Sequence, residues 1–512
     1  MRTRWIVWVA LLAASLAGNA SEPSDPEPIP SIVEKTRGLE RQPGLLDVFP
    51  DPDQGRVWLA LPPPRDRGIV GEFLYVEGLV TGLGSNPVGL DRGQLGSSQV
   101  VRLRLVGNRV LIEKPNLAFR ALEGDAPEKR AVAESFATSV LWGGEVAARS
   151  AEGGVLVDFT SFLIRDGHGV ATTLDRTEQG SFELDVSRSA VDFDHVLAFP
   201  NNLEFEAVLT FTGEESGAHV SSVAPSADAV TVVQYYSLVQ LPDADYRPRE
   251  FDPRAGSINI EFADYTAPLT TPIDRRWIVR HRLQKVYPEA ARSRVREPIV
   301  YYVDPGIPEP VRSAVIEGTG WWATAFDRAG FDNGFRVEML PEDAHPLDVR
   351  YNVIEWVHRS TRGWSYGGGV VDPRTGERIK GHVSLGSLRI RQDIRIFQGL
   401  AGADTTGSGS ADDPVQLALA RIRQLAAHEV GHTLGLAHNF TASTYGRASV
   451  MDYPAPWVTV SSDGALDFSK AYSAGVGVWD LHAIRYSYTE FPPGVDEHAE
   501  LQKIVEEGIE RG

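Results

Sequence analysis

Apolar and polar residues alternate with a period of two through much of the first half of the chain. Residues 101–105 place three apolar side chains around two arginines, Gly107-Asn108 follows, and residues 110–112 resume the apolar run. This order of strand, two-residue turn and strand predicts a β-hairpin. Similar short strands are predicted at 155–163, 182–186, 203–211 and 230–238. The pattern predicts an N-terminal all-β domain over residues 45–240, of unknown role.

Two proline-containing segments separate the patterned regions. Residues 21–44 are rich in Pro, Glu and Ser and predict a linker, and residues 241–275 predict a connecting segment. After that segment the period changes to a mixture of strands and helices, which predicts an α+β domain over residues 276–512. Strands are predicted at 298–303, 335–339 and 347–354, with an amphipathic helix over 311–326.

A buried helix is predicted to begin at Asp413. The carboxylate of Asp413 can cap the first turn, and Pro414 suits that turn because its missing N–H would have no partner there. Apolar residues then follow on two faces of the helix as far as Ala426. The sequence HEVGHTLGLAH occupies residues 428–438, at the end of this helix.

Three histidines and one glutamate in that sequence predict a metal site. Residues four apart share one face of a helix, so His428 and His432 can reach the same ion. Gly435 permits the backbone to leave the helix and to turn His438 back as a third ligand. Three neutral imidazoles and one water form the open tetrahedral site that zinc uses in catalysis. Glu429 lies beside the open position, where it can act as general base toward a zinc-activated water.

Several other interpretations stay open. In one interpretation the three histidines are ordinary core or surface residues that bind no metal. In another they bind a metal ion but the site has no catalytic activity. A third is an exported binding protein with a structural or inactive zinc site. The intact Glu429 argues against it, because a structural site needs no base.

Two other segments leave further alternatives open. Gly363-Trp364-Ser365-Tyr366-Gly367 also fits the nucleophile elbow of serine hydrolases, but that elbow needs a following helix, and a hairpin is predicted around 372–376. Residues 404–413 leave calcium open as a second ion, although their spacing matches no ligand loop.

The composition and the N-terminal sequence limit which partners and which cellular location we expect. A formal net charge of -19 over 512 residues disfavours nucleic acid and anionic membrane surfaces, which require a basic face. Residues 1–20 combine a basic start, an apolar run and a small-residue end, which predicts a secretion signal. We expect an exported protein, periplasmic, on the cell surface or extracellular, with no stable membrane span after cleavage. The chain has no cysteine, so its cores must hold it together without disulfides.

A methionine-bearing segment, Ser449-Val450-Met451-Asp452-Tyr453, follows the third histidine. HExxHxxGxxH followed by such a turn resembles the metzincin clan of zinc metallopeptidases. The resemblance implies a twisted mixed sheet, an active-site helix, a methionine turn and a C-terminal helix. It also implies that Met451 forms a hydrophobic floor under the metal and that Tyr453 stabilises the transition state. The alternative for Tyr453 is a core tyrosine after a turn.

Further stretches narrow the resemblance to the bacterial secreted zinc-dependent metalloproteases of the EcxA-like type, whose members commonly carry an N-terminal β-rich domain. The stretches that carry it are 363–367, 372–377, 380–383, 385–389 and the residues on either side of the HExxHxxGxxH motif. It implies a metalloendopeptidase whose protein or peptide substrate pairs with an edge strand above the cleft. His382, Val383 and Ser384 are predicted to lie in that strand, with His382 facing solvent. Family members usually run longer, so a shortened C-terminal region is expected.

Overall fold

The computed structural model describes residues 29–214 and 216–511. The predicted secretion signal lies outside these residues, as do positions 21–28 of the predicted linker. Within the described ranges, no helix combines the length and the apolar character needed to cross a membrane.

Strands dominate the first half of the chain, and most of the longer helices lie in the second half. The strands are β1 (Asp47–Asp51), β2 (Arg56–Leu61), β3 (Ile69–Leu79), β4 (Gln99–Val106), β5 (Arg109–Lys114), β6 (Phe119–Arg120), β7 (Ser139–Arg149), β8 (Val155–Asp158), β9 (Ser181–Leu184), β10 (Ala190–Ala198), β11 (Asn202–Glu214), β12 (Ala229–Gln240), β13 (Asn259–Asp264), β14 (Asp274–Ile278), β15 (Arg280–His281), β16 (Ser293–Arg294), β17 (Ile299–Val303), β18 (Phe331–Asp332), β19 (Phe335–Met339), β20 (Asn352–Val357), β21 (Tyr366–Val371), β22 (Glu377–Gly386), β23 (Thr459–Val460) and β24 (Leu466–Asp467). The helices are α1 (Ile32–Lys35), α2 (Ala126–Ser135), α3 (Thr160–Leu163), α4 (Val170–Arg176), α5 (Ala218–Ser221), α6 (Val311–Gly320), α7 (Trp322–Arg328), α8 (Arg389–Ala401), α9 (Pro414–Thr433), α10 (Val478–Tyr488) and α11 (Glu497–Glu510).

An antiparallel sheet of eleven strands takes up most of the first half of the chain. Its order is β1-β2-β8-β7-β5-β4-β3-β12-β11-β10, with β9 paired to β11. The predicted hairpin is confirmed as β4 and β5, in which Leu103 pairs with Ile112 and Leu105 with Val110. Because alternate residues of a strand point to one face, the alternating apolar residues combine into a single core.

A mixed sheet of six strands forms the centre of the second half. Its order is β15-β22-β20-β17-β19, and β21 pairs with β22. The strands in this order pair in parallel, whereas β21 runs antiparallel to β22. A second core contains apolar residues from this sheet and from α6, α7, α9 and α10, with Trp322 fully buried in it. The predicted α+β fold, with an all-β first half and a mixed sheet in the second, is confirmed.

Three predicted elements differ from those in the structure. The strand predicted over 155–163 ends as β8 at Asp158, and residues 160–163 form α3. The helix predicted over 311–326 is two helices, α6 and α7, that meet at Trp321, whose N–H donates to the Gly318 carbonyl in a tighter turn (3.3 Å). The strand predicted from residue 347 begins only at Asn352, because the carboxylate of Asp348 accepts the Arg350 N–H (2.8 Å) and closes a turn there.

A small apolar cluster joins the two sheets. Leu74, Val76 and Val239 come from the eleven-stranded sheet, and Val349 and Val370 come from the second half of the chain. All five side chains are buried. The outer face of the first sheet therefore packs directly against β21.

Candidate metal centre

Helix α9 carries the histidine motif and begins as predicted. The side chain of Asp413 accepts the Val415 N–H, and Pro414 occupies the first turn. Gly435 follows the helix with φ +95°, and a Cβ built on it would lie 1.9 Å from the Val279 carbonyl oxygen. Both observations require glycine, which turns the chain so that His438 returns toward the helix.

The ring nitrogens of the three histidines converge. Nδ1 of His428 donates to the Val450 carbonyl (2.7 Å) and Nδ1 of His432 donates to the Leu436 carbonyl (2.8 Å). Because a carbonyl oxygen only accepts, these neutral imidazoles carry their proton on Nδ1 and turn the Nε2 lone pair to the centre.

The donor set fits a zinc ion. Nε2 of His432 lies 3.0 Å from Nε2 of His438. Nε2 of His428 is buried and has no hydrogen-bond partner among the described residues. One ligand atom from each histidine lies within 4.8 Å of the other two. Converging imidazole lone pairs with Nδ1 tied to the backbone are the usual surroundings of a catalytic zinc ion.

The burial of the histidines keeps them in the neutral form that binds metal. Burial, and next the nearby His432, lower the pKa of His428 to about 3. Burial likewise lowers the pKa of His432 to about 4, and it also lowers the pKa of His438. At neutral pH the three side chains therefore offer lone pairs without first losing a proton.

Glu429 lies one residue after the first ligand and is 4% exposed. Burial raises the pKa of Glu429 to about 8, although the charge of Arg421 and the backbone of Gly367 lower it. A Cβ built on Gly367 would lie 2.2 Å from the Glu429 carbonyl oxygen and 3.2 Å from Cβ of His432. Only a glycine therefore lets β21 come this close to α9, beside the metal ligands.

The methionine turn lies under the helix. Met451 is 1% exposed, and a Cβ built on Gly431 would lie 2.2 Å from its Sδ atom. Tyr453 is not a core residue: it is 57% exposed, and its hydroxyl lies 2.6 Å from Nε2 of His438. This position is at the open side of the three histidines.

Asp480 of α10 ties the turn in place and is absent from the sequence-based site. Its carboxylate accepts the Ser449 hydroxyl (2.6 Å), the Val450 N–H (2.8 Å) and the Gly477 N–H (2.6 Å). The carbonyl of the same Val450 accepts from His428, so a single residue links Asp480 to a candidate metal ligand. An aspartate three residues into a helix gives no sign of this in the sequence, because the partner lies thirty residues earlier.

The prediction that His382, Val383 and Ser384 lie in an edge strand is wrong. They belong to β22, which pairs with β20 on one side and with β21 on the other. The edge strand beside the site is β21, whose glycine-rich sequence hides the period of two that marks most strands.

His382 does not face solvent either. Its side chain is 3% exposed, and Nε2 lies 3.2 Å from a carboxylate oxygen of the buried Glu355. The sequence suggests exposure because polar residues usually alternate outward in an edge strand, whereas β22 is covered on both edges and both faces.

The structure does not support the serine-hydrolase alternative or the calcium alternative. Ser365 is followed by β21 rather than by a helix, so it does not sit in a nucleophile elbow. In the 404–413 segment, the Asp413 carboxylate already accepts three backbone N–H groups, those of Gly407, Gly409 and Val415 (2.9 Å each), as a helix cap. Those oxygens are therefore not free to bind calcium.

A second group of ligand-type side chains contains Asp192, His195 and Glu206. Nδ1 of His195 lies 2.9 Å from a carboxylate oxygen of Asp192 and 3.7 Å from one of Glu206. The hydrogen bond to Asp192 raises the pKa of His195. The group is therefore explained as an ion pair that favours the protonated imidazole, which does not bind metal.

Comparison with protein families agrees with this geometry. Residues 410–511 match the family described as Met-zincin, so the C-terminal part of the chain carries a Met-zincin domain. Residues 93–286 match the family described as Domain of unknown function (DUF5117), which precedes it. The comparison with curated proteins gave no match.

Proposed function

We propose that the chain is an exported zinc-dependent metalloendopeptidase of the EcxA-like type. The observation that carries this proposal is the convergence of three imidazoles within 4.8 Å beside a buried carboxyl, that of Glu429. An ion held only for structure has no use for a base next to its ligands. The Met-zincin match supports the reaction class, and the pattern of residues 1–20 supports export.

The residues divide the chemistry among them. His428, His432 and His438 would hold the zinc ion, which when bound makes a water molecule more acidic and polarises a peptide carbonyl. Without the ion, burial raises the pKa of Glu429 to about 8, and the positive charge of a bound zinc ion would favour its carboxylate form. That carboxylate accepts the proton of the attacking water and passes it to the departing amine. The Tyr453 hydroxyl donates a hydrogen bond to the carbonyl oxygen as that oxygen gains negative charge.

The substrate would bind as an extended strand along β21. Among the described strands, β21 pairs only with β22, so its second edge has no strand partner. A Cβ built on Gly368 would meet nothing within 4 Å, so this position of β21 leaves room for a peptide. Backbone pairing of this kind binds many sequences, because alternate side chains point away from the pairing edge.

An apolar groove beside His438 is a second substrate surface. It has a volume of about 600 Å³ and reaches α10 and α11. Its lining includes Phe440, Trp479 and Ile509. We expect it to accept an apolar side chain of the substrate, because apolar area removed from water gives affinity.

The test is a Glu429→Ala variant, digested against a peptide library and read by mass spectrometry. We expect cleavage to be abolished while zinc stays at about one ion per chain, because the base is lost and the ligands remain. Glu289→Ala, at an exposed glutamate, is the matched control and should cleave like the unchanged protein. Cleavage by Glu429→Ala contradicts the mechanism, and zinc binding without cleavage by the unchanged protein favours a binding protein with an inactive site.

A further inference from the structure

The loop of residues 80–98 joins β3 to β4 in the first sheet and lies against the strand proposed to bind substrate. We propose that this loop and the outer face of the first sheet position β21 against α9, and that Asp91 is the main positioning residue. The role assigned to β21 rests on the proposed function. The inference gives β3, β4 and the loop between them a task in the proposed peptidase: they form the outer support of the cleft.

Asp91 holds the start of β21. Its carboxylate accepts two hydrogen bonds from Arg359, at 2.8 Å from Nε and 2.7 Å from Nη2, and one from the hydroxyl of Tyr366 at 3.1 Å. The side chains of Asp91 and Arg359 are 5% and 2% exposed. A two-pronged buried ion pair fixes orientation as well as distance. Since Tyr366 is the first residue of β21, the carboxylate sets where the strand begins.

The residues next to Asp91 prevent the loop from sliding. Arg92 donates to the Trp356 carbonyl (2.9 Å), and its Nε lies 3.1 Å from a carboxylate oxygen of Glu355. A Cβ built on Gly93 would lie 1.6 Å from the other Glu355 carboxylate oxygen. The loop is thus fitted to the end of β20 with no space for a larger side chain at position 93.

The middle and the end of β21 are held as well. Val370 is buried in the apolar cluster with Leu74 and Val76 of β3. The N–H of Val371 donates to the Ser98 hydroxyl (3.0 Å), at the last residue of the loop. The first sheet therefore contacts β21 at its first residue, in its interior and at its last residue.

The opposite face of β21 packs on the metal-binding helix, at Gly367 against Glu429. The strand is thus held between α9 and the first sheet. Since the helix fixes one face, the first sheet fixes how far the free edge of β21 stands from the proposed base. A shift of about 1 Å in such a distance is enough to weaken substrate alignment strongly.

The experiment compares the zinc-loaded full chain with Asp91→Asn by peptide kinetics and by hydrogen exchange. We expect the KM for an extended peptide to rise by roughly tenfold while kcat changes by less than about threefold, because positioning is lost and the chemical groups remain. Amide exchange should accelerate over residues 366–371 and stay unchanged over α9, with the same zinc content. Glu72→Gln, which breaks an exposed ion pair with Arg102 on the same two strands, is the matched control and should change neither quantity.

Two further variants keep the result decisive. Tyr366→Phe removes one hydrogen bond without leaving a buried charge, and should show the same changes at a smaller size even where Asp91→Asn does not fold. The double variant Asp91→Asn/Arg359→Gln should recover part of the loss, because it removes both charges of the pair. Unchanged KM and unchanged exchange of β21 in Tyr366→Phe overturn the proposal.

The readouts also separate this proposal from the peptidase itself. If the unchanged protein cleaves no peptide, the proposed function fails, but exchange of β21 still decides whether Asp91 positions the strand. If the unchanged protein cleaves and the variants lose only thermal stability, with KM and β21 exchange unchanged, the positioning role fails and the peptidase stands.

Discussion

At the scale of single residues, the site depends on which nitrogen of each imidazole the backbone uses. The carbonyls of Val450 and Leu436 accept from Nδ1 of His428 and His432, which directs both Nε2 atoms inward. Tyr453 lies on the exposed side of the three histidines, where its hydroxyl is 2.6 Å from Nε2 of His438. The backbone thus orients two of the three imidazoles.

Tyr453→Phe should lower kcat by about 10- to 100-fold, because one donor to the developing oxyanion is lost. KM and zinc content should stay nearly the same, since the hydroxyl is not a metal ligand in the proposed mechanism. Steady-state kinetics with one peptide checks this. Tyr287→Phe is the control, because Tyr287 has a similar exposure of 55% and does not line the groove beside His438. A loss in KM alone would show that Tyr453 binds substrate without assisting the reaction.

At the scale of elements, α9 and the methionine turn form one unit through α10. Asp480 is fully buried at 0% exposure and accepts hydrogen bonds from both sides of the turn. Burial raises the pKa of Asp480 to about 6, although the three donors lower it. The turn therefore depends on a single carboxylate of a different helix.

Asp480→Asn should weaken zinc binding by roughly 10- to 100-fold, because an amide oxygen cannot serve all three donors and the Val450 carbonyl loses its orientation. Competition with a fluorescent zinc chelator measures the change. Asp496→Asn is the control: Asp496 caps α11 by accepting the Ala499 N–H and lies far along the chain from the metal ligands. Equal zinc affinity in the two variants would mean that the turn does not position His428.

The sequence predicts the elements that organise themselves locally. The cap at Asp413, the glycine at 435 and the spacing of the histidines each act within one helix and its end, so α9 and the ligand set were predictable. The edge strand was not predictable, because Gly367 is set by the approach of β21 to α9 and Gly369 by the approach to the Lys380 carbonyl, rather than by alternation. Asp91 and Asp480 were missed for a related reason: their partners are far away in sequence, and a single carboxylate carries no local mark of a long-range contact.

At the scale of the whole molecule, the first sheet contacts the second half of the chain through buried polar groups as well as through the apolar cluster. Glu204 of β11 is 4% exposed and accepts a hydrogen bond from Asn202 (2.6 Å). Burial raises the pKa of Glu204 to about 7, and the nearby Asp348 of the second half raises it further. The carboxyl of Glu204 in the first sheet therefore lies near the negative charge of Asp348 in the second half of the chain.

The burial of Glu204 beside Asp348 should make the free energy of unfolding depend on pH. The pKa of Glu204 is higher in the folded chain than in the unfolded chain, so its contribution is fully present below about pH 4.5 and is lost as pH rises through about 7. Glu204→Gln, which is always neutral, should gain about 1–3 kcal/mol relative to the unchanged protein at pH 8 and little at pH 4.5.

Urea unfolding of both proteins at the two pH values measures the difference. Glu183→Gln, at an exposed position of β9, should show no such dependence. A stabilisation of Glu204→Gln that is equal at both pH values would assign the effect to packing rather than to ionisation.

The fit of the 80–98 loop around β21 has a consequence for engineering. Transfer of the second half of the chain, with its candidate zinc site, to another scaffold should include the β3–β4 loop as a matched partner. We expect a chimera joined within the connecting segment of residues 241–275 alone to keep all three histidines and to lose the support of β21.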